Sequence, residues 1–125
     1  MNKHILVTED DKNVADGLRE ILESDGYTVS CADCASAAMQ TMRDGGADLV
    51  ILDVRLGQDD GYELCRRIRE FSNVPILFLT ACSSEIELVR GFRAGGDDYV
   101  AKPFGTMELI SRIKALLRRT KNEET

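Results

Sequence analysis

The chain has 125 residues, 43% of them apolar, and a formal net charge of −6 from 16 lysines and arginines against 22 aspartates and glutamates. That length predicts one domain able to bury about two-thirds of its unfolded surface, so neither disulfides nor a structural metal are needed for stability. The negative charge argues against nucleic-acid contact by this segment itself, no apolar stretch approaches the roughly 20 residues of a membrane span, and Met-Asn-Lys-His leads straight into a strand pattern rather than a signal peptide; a cytoplasmic protein is expected.

In chain order, His4 to Thr8 reads as a short apolar strand that ends on Glu9-Asp10-Asp11. Val14, Leu18, Ile21 and Leu22 then recur on one face of a helix closed by Gly26, with Asp11 suited to cap it. Tyr27 to Cys31 predicts a second strand, and Ser36 can cap a weaker helix that runs through Met39 and Met42 to Gly45-Gly46. Leu49 to Asp53 carries four consecutive large aliphatics, too continuous for a half-exposed strand and too short for a helix, which predicts a parallel strand covered on both faces. A loop through Gly57 and Asp59-Asp60-Gly61 leads to a third helix, Tyr62 to Phe71, with Leu64, Cys65 and Ile68 inward. Pro75 to Thr80 is a fourth strand, with its proline at the start, where a missing donor costs least. A helix from about Ser84 to Ala94, a short strand Asp98 to Ala101, and a last helix with Leu109, Ile110, Ile113, Leu116 and Leu117 inward complete the pattern. Residues 1–120 form the predicted domain; Lys121 to Thr125 is a polar tail without pattern, read as a frayed end or the start of a linker.

Cys31-Ala-Asp-Cys34 has the spacing of a redox or zinc pair. A zinc site wants four ligands, whereas Cys65 falls inside a helix, Cys82 in a distant loop, and His4, the single histidine, at the first strand. The two cysteines are read as small residues flanking a strand-to-helix turn.

Five strands alternating with five helices describe a doubly wound α/β fold with a parallel sheet and right-handed crossovers. Parallel strands end on one edge, so Glu9, Asp10, Asp53, Thr80 and Lys102 project toward a common crevice while the second strand contributes nothing. That suits the flavodoxin-like order 2-1-3-4-5, whose switch point lies between the first and third strands. Converging carboxylates would repel unless a hard dication sits among them, and magnesium fits Asp10, Asp53 and a water held by Glu9. A carboxylate can also attack phosphorus, provided the charge on the transferring group is neutralised. Magnesium on one side and Lys102 on the other would do so, with the Thr80 hydroxyl as a hydrogen-bond donor.

The ordered set Ile-Leu-Val-Thr-Glu-Asp-Asp11, Asp-Leu-Val-Ile-Leu-Asp53, Asp-Gly61, Phe-Leu-Thr-Ala81 and Gly-Asp-Asp-Tyr-Val-Ala-Lys-Pro-Phe104 resembles the receiver domains of two-component response regulators, across essentially the whole chain. The resemblance implies that Asp53 accepts phosphate from a histidine kinase. It also implies that Glu9 and Asp10 serve magnesium with the Arg55 carbonyl, that Thr80 and Lys102 hold the phosphoryl group, and that Tyr99 turns inward on activation. Lys102-Pro103 matches a peptide bond that is usually cis in the family. Arg55 and Cys82, two residues beyond Asp53 and Thr80, match positions that vary with the lifetime of the phosphorylated form.

Two departures stand out. Leu56-Gly57 replaces the family's usual Leu-Pro, which predicts a mobile loop beside the metal, and Gly96 stands where alanine is usual, which predicts a looser turn before the fifth strand. The last helix with Gly-Asp-Asp98 and Tyr99 resembles the subfamily joined to a winged-helix DNA-binding domain, so DNA contact would come only through a domain absent from this chain. That subfamily dimerises on phosphorylation through the fourth helix, fifth strand and last helix. Asp98 to Arg112 across the two-fold axis is intact, and Glu108 and Arg119 are present. Leu88 replaces a basic partner for Glu108, and either meets the partner subunit or covers its own core.

Other readings are a natural single-domain regulator, an aspartate-nucleophile phosphatase, a flavin module and a phosphate-independent interaction domain. The phosphatase needs a second acid two residues after the nucleophile, where this chain has Arg55. The flavin module needs a neutral or positive phosphate cradle where Glu9-Asp10-Asp11 stands, and the intact Asp10, Asp53, Thr80 and Lys102 weigh against a phosphate-independent domain.

Overall fold

A computed structural model describes residues 3–81 and 85–124, the stretch 120–124 as helical backbone. Its elements are β1 (His4–Thr8), α1 (Lys12–Ser24), β2 (Thr28–Ala32), α2 (Ala35–Asp44), β3 (Leu49–Asp53), β4 (Arg55–Leu56), β5 (Asp59–Asp60), α3 (Gly61–Arg69), β6 (Ile76–Thr80), α4 (Glu85–Ala94), β7 (Asp98–Ala101) and α5 (Thr106–Glu124). The main sheet is parallel in the order β2-β1-β3-β6-β7, which is the order that the polar residues at the strand ends suit. Every residue of β3 and β6 is buried, so these central strands carry aliphatics on both faces. Alternate side chains feed two cores: Leu6, Val50, Leu52, Ile76 and Phe78 meet α2, α3 and α4, while Ile5, Val7, Ile51, Leu77 and Leu79 meet α1 and α5.

The helices begin where carboxylates can serve their free amides. Asp11 accepts from Asn13 and Val14 N–H at the start of α1, and Asp60 accepts from Tyr62 N–H at the start of α3, caps worth about 1 kcal/mol each. The start of α2 differs from the expected Ser36 cap. Its N-cap is Cys34, which makes no side-chain cap bond, and Ala35 N–H donates instead to Asp59 Oδ2 at 2.9 Å. Cys31 and Cys34 are free thiols at the end of β2 and the start of α2.

Three further expectations are corrected. The loop after Asp53 is a hairpin rather than an irregular connection: Arg55 pairs with Asp60 and Leu56 with Asp59. Gly57 has φ +59 and Gln58 does not have positive φ, the pattern of a two-residue II′ turn, and Leu56 is buried beneath it. Gly96 is a close contact and not a loose joint: a Cβ there would fall 2.7 Å from Phe78 Cδ2, and nearer still to Cε2. The helical backbone of α5 continues to Glu124, past the last inward-facing leucines, because no glycine or proline interrupts it. Among the described residues no helix is long and apolar enough to cross a membrane.

Candidate functional site

The strand ends deliver the site. β1 releases the chain at Glu9 and Asp10, β3 at Asp53, β6 at Thr80 and β7 at Lys102, all on the edge where the parallel strands finish. One oxygen each from Glu9, Asp10 and Asp53 lie within 4.8 Å of one another. Glu9 and Asp53 are buried and Asp10 is exposed. The Lys102 ammonium donates to Glu9 Oε1 and to Asp53 Oδ2, both at 2.8 Å. Asp53 Oδ1 accepts from Arg55 N–H at 3.0 Å, so both oxygens of this carboxylate are held. Gly61 lets α3 start directly on the strand end, since a Cβ would fall 2.9 Å from Val54 Cα, and its N–H donates to the Val54 carbonyl.

Burial pushes the Glu9 carboxyl up to about 8, reinforced by the adjacent Asp53 carboxylate, against the pull of Lys102. Burial works to lower the Lys102 ammonium, but the carboxylates of Asp53 and Glu9 outweigh it and the net shift is upward. Glu9 Oε2 is buried without a hydrogen-bond partner among the described residues. A hard dication would satisfy that orphaned oxygen and offset the crowded negative charge, so the donor set fits magnesium.

Thr80 is buried and lines the same open cleft as Asp53, Arg55, Asp59, Ala81 and Lys102. Arg55 itself is exposed at the rim, and Cys82, its expected counterpart in setting phosphate lifetime, lies outside the described residues. Beneath α4 a second, apolar cavity of about 10 Å³ is lined by Val54, Phe78, Thr80, Leu88, Phe92 and Tyr99. Tyr99 is half-buried, edge-on to Phe92 at 6.4 Å between ring centres. Lys102-Pro103 is cis.

The charged residues expected at a dimer contact find partners within the chain. Arg112 donates to Asp98 at 3.0 and 3.1 Å and to Glu108 at 3.3 Å, while Arg119 donates to Asp97 at 2.9 Å. Asp98 to Arg112, expected across a two-fold axis, is thus closed intramolecularly, because β7 and α5 are adjacent and their side chains reach each other. Leu88 is half-buried over the apolar cavity.

Sequence reasoning missed a group joining α3 to α4. The buried Tyr62 donates its hydroxyl to Glu87, at 2.6 Å to the carboxylate and 3.1 Å to the carbonyl, and Arg90 lies 4.8 Å over its ring. Burial, then the Glu87 hydrogen bond, holds the Tyr62 hydroxyl well above its ordinary range. A tyrosine at an inward helical position, with an acid on the next helix, was the available signal.

A profile of the response regulator receiver domain matches residues 5–114. The chain is 44% identical over 121 residues to the transcriptional regulatory protein YvrH of Bacillus subtilis, a match covering 95% of this chain and 51% of that protein. The chain therefore spans about half the length of this curated relative. A putative response regulator from Chloroflexus aurantiacus superposes with a TM-score of 0.90 at 38% identity, over 94% of this chain and 99% of that one. A two-component response regulator from Clostridium difficile gives a TM-score of 0.92 at 30% identity, over 95% and 98%. With the family profile spanning nearly the whole sheet-and-helix alternation, the chain belongs to the receiver domains of two-component response regulators, signalling domains whose general function is a phosphorylation switch.

Proposed function

We propose that Asp53 accepts a phosphoryl group from the phosphohistidine of a sensor kinase, and that the aspartyl phosphate shifts the face built by α4, β7 and α5 toward a state in which two copies associate. Transcription would follow through a DNA-binding domain outside this chain. The observation that carries the reading is the Lys102 ammonium seated 2.8 Å from both Glu9 and Asp53, at the mouth of a cleft also lined by Thr80.

In the transfer an Asp53 oxygen attacks phosphorus. The bond from phosphorus to the imidazole nitrogen breaks, and its electron pair stays on the imidazole, which takes up a proton. Magnesium, for which Glu9, Asp10, Asp53 and the Arg55 carbonyl are the candidate donors, would supply positive charge against the phosphoryl oxygens. Lys102 can turn one of its three N–H donors from Asp53 to a phosphoryl oxygen, and the Thr80 hydroxyl can donate to another. Such charge-assisted bonds contribute about 1.5–3 kcal/mol each, so the pair gives about 3–6 kcal/mol before ordering costs. Converting a mostly inactive population to a mostly active one takes about 5.5 kcal/mol, so the loss of either bond matters. The apolar cavity beside Thr80, at about 10 Å³, is too small for a phenol ring, so an inward turn of Tyr99 would need its lining side chains to shift.

For the dimer, Arg112, Asp98, Glu108, Asp97 and Arg119 would exchange partners they already have within the chain. Exposed exchanges of this kind contribute about 0–1 kcal/mol, so apolar contact at Leu88 is the larger candidate term.

The test is incubation with a small acyl phosphate followed by intact mass. One phosphoryl group per chain, abolished by Asp53→Asn and by excess chelator, is expected. Uptake unchanged by either treatment overturns the reading.

A further inference from the structure

Two successive aspartates in the hairpin that follows the phosphoacceptor serve two different helices. Asp60 caps α3, its own helix, through Tyr62 N–H. Asp59 reaches outward and accepts from Ala35 N–H of α2 at 2.9 Å, across 24 residues of sequence. α2 has no acidic residue in its own first turn, and its N-cap Cys34 contributes no side-chain bond, so Asp59 supplies the carboxylate that this helix end favours. The strand partner of Asp59 is Leu56, and next to it Arg55 donates its N–H to Asp53 Oδ1 at 3.0 Å. At the turn, a Cβ on Gly57 would lie 3.7 Å from Asp10 Oδ2, so the hairpin also abuts the acid from β1.

We infer that Asp59 is a positioning residue for the phosphoacceptor site: by tying β5 to the N-terminus of α2 it fixes β4, and hence the Arg55 backbone that orients Asp53. The inference rests on the proposed function, since the Arg55 carbonyl belongs to the candidate magnesium set. A two-stranded ribbon with two residues per strand has too few backbone bonds to hold its own attitude. The buried Leu56, the bond from Gly61 N–H to the Val54 carbonyl and the bond from Val54 N–H to the Leu79 carbonyl pin the base of the ribbon to the core, and without a second anchor its outer strand can pivot about that base. Asp59 on α2 is that second anchor on the outer strand, while Asp60 fixes only the exit into α3. A pivot moves the Arg55 N–H and carbonyl together relative to Asp53 and leaves Lys102 and Thr80, which come from other strands, in place.

The experiment compares the parent chain with Asp59→Ala, Asp59→Asn, Cys34→Ser and the Cys34→Ser/Asp59→Ala double variant. Thermal unfolding reports the stability of the fold, and two readouts report the site: hydrogen exchange of the Arg55 amide without metal, and Mg²⁺ affinity by calorimetry. Loss of a helix-capping carboxylate corresponds to about fivefold, so Asp59→Ala is expected to exchange the Arg55 amide about fivefold faster and bind Mg²⁺ about fivefold more weakly. Asp59→Asn keeps an acceptor and should stay within about twofold of the parent. Cys34→Ser gives α2 a cap of its own, so the double variant should recover thermal stability while keeping the fast exchange and weak Mg²⁺ binding. Recovery of both readouts by Cys34→Ser overturns the inference, because Asp59 would then act only through helix stability. Parent-like values in Asp59→Ala overturn the inference alone, whereas a parent protein that takes up no Mg²⁺ overturns the proposed function as well.

Discussion

Gly96→Ala puts one methyl group where the fold has no space. The added Cβ would stand 2.7 Å from Phe78 Cδ2, closer still to Cε2, and 3.1 Å from the Gly91 carbonyl oxygen. Gly96 does not need a left-handed conformation, so the demand is for space alone. Phe78 cannot yield easily. It is 3% exposed, packs edge-on against Tyr62 with ring centres 5.3 Å apart, and borders a cavity of only about 10 Å³. Overpacking of this kind costs about 1–3 kcal/mol. With an unfolding entropy of about 2.1 cal/mol/K per residue, the 125-residue chain has about 0.26 kcal/mol/K, so Tm should fall by about 4–11 °C. Phe78→Leu removes the obstructing ring, at a cost of its own, and the two changes should not add. The Gly96→Ala/Phe78→Leu variant is expected to be at least about 1 kcal/mol more stable than the sum of the single effects, as measured by urea denaturation. Because Phe78 also lines the cavity beside Tyr99 and Thr80, the same methyl group should displace Tyr99 resonances in the single variant and not in the double. A Gly96→Ala protein within about 0.3 kcal/mol of the parent, or strictly additive costs, would refute the packing argument.

Further expectations follow from the site and its supports. Glu9 carries a folded-state pKa near 8, raised from its ordinary 4.5, so the folded chain binds the extra proton between those values and stability falls as pH rises from about 4.5 to about 8. Glu9→Gln should flatten that slope in denaturation measured across the range; an unchanged slope rejects the assignment. Since a dication needs the deprotonated carboxylate, Mg²⁺ affinity of the parent should also rise with pH up to about 8 and then level, and a pH-independent affinity would contradict it. Tyr62→Phe removes the hydroxyl bonded to Glu87 and should cost about 1–2 kcal/mol in denaturant unfolding, with faster amide exchange in α4; a neutral effect would show that this contact does not hold the helix. Arg55, exposed at the rim of the cleft, is expected to shield the acyl phosphate, so Arg55→Ala should lose phosphate faster than the parent, and slower loss reverses the assigned role.

The parts of this fold legible in the sequence are those fixed by local pattern. The inner strands β1, β3 and β6 are written as nearly unbroken aliphatic runs because their burial on both faces leaves no polar alternation, whereas the edge strands β2 and β7 carry polar residues and were legible from their place between helices. Asp11 was legible as a cap because it serves amides two and three residues away, whereas Asp59 was not, because its partner lies 24 residues upstream. The hairpin at 55–60 escaped because two-residue strands show no period, and a glycine in place of proline reads as looseness when its role is a positive φ in a tight turn. Gly96 misled in the same direction: the ring of Phe78 that excludes a side chain belongs to a strand 18 positions earlier in the chain. The acids and the lysine at the strand ends were legible in kind and order, but that Lys102 bridges Glu9 and Asp53 at equal distance is a property of the closed sheet. The intramolecular closure of Asp98 on Arg112 likewise follows from β7 and α5 lying side by side.

In the proposed reaction the carboxylate of Asp53, and no other acid in the cleft, takes the phosphoryl group. Reduction of the phosphorylated protein with borohydride converts an acyl phosphate to an alcohol, turning the modified aspartate into homoserine, which peptide mass mapping locates. Homoserine is expected at position 53 alone, formed only when Mg²⁺ and a phosphodonor are both supplied. Homoserine at Asp10, Asp59 or Asp60, or none in a sample that has gained phosphate, would contradict that assignment.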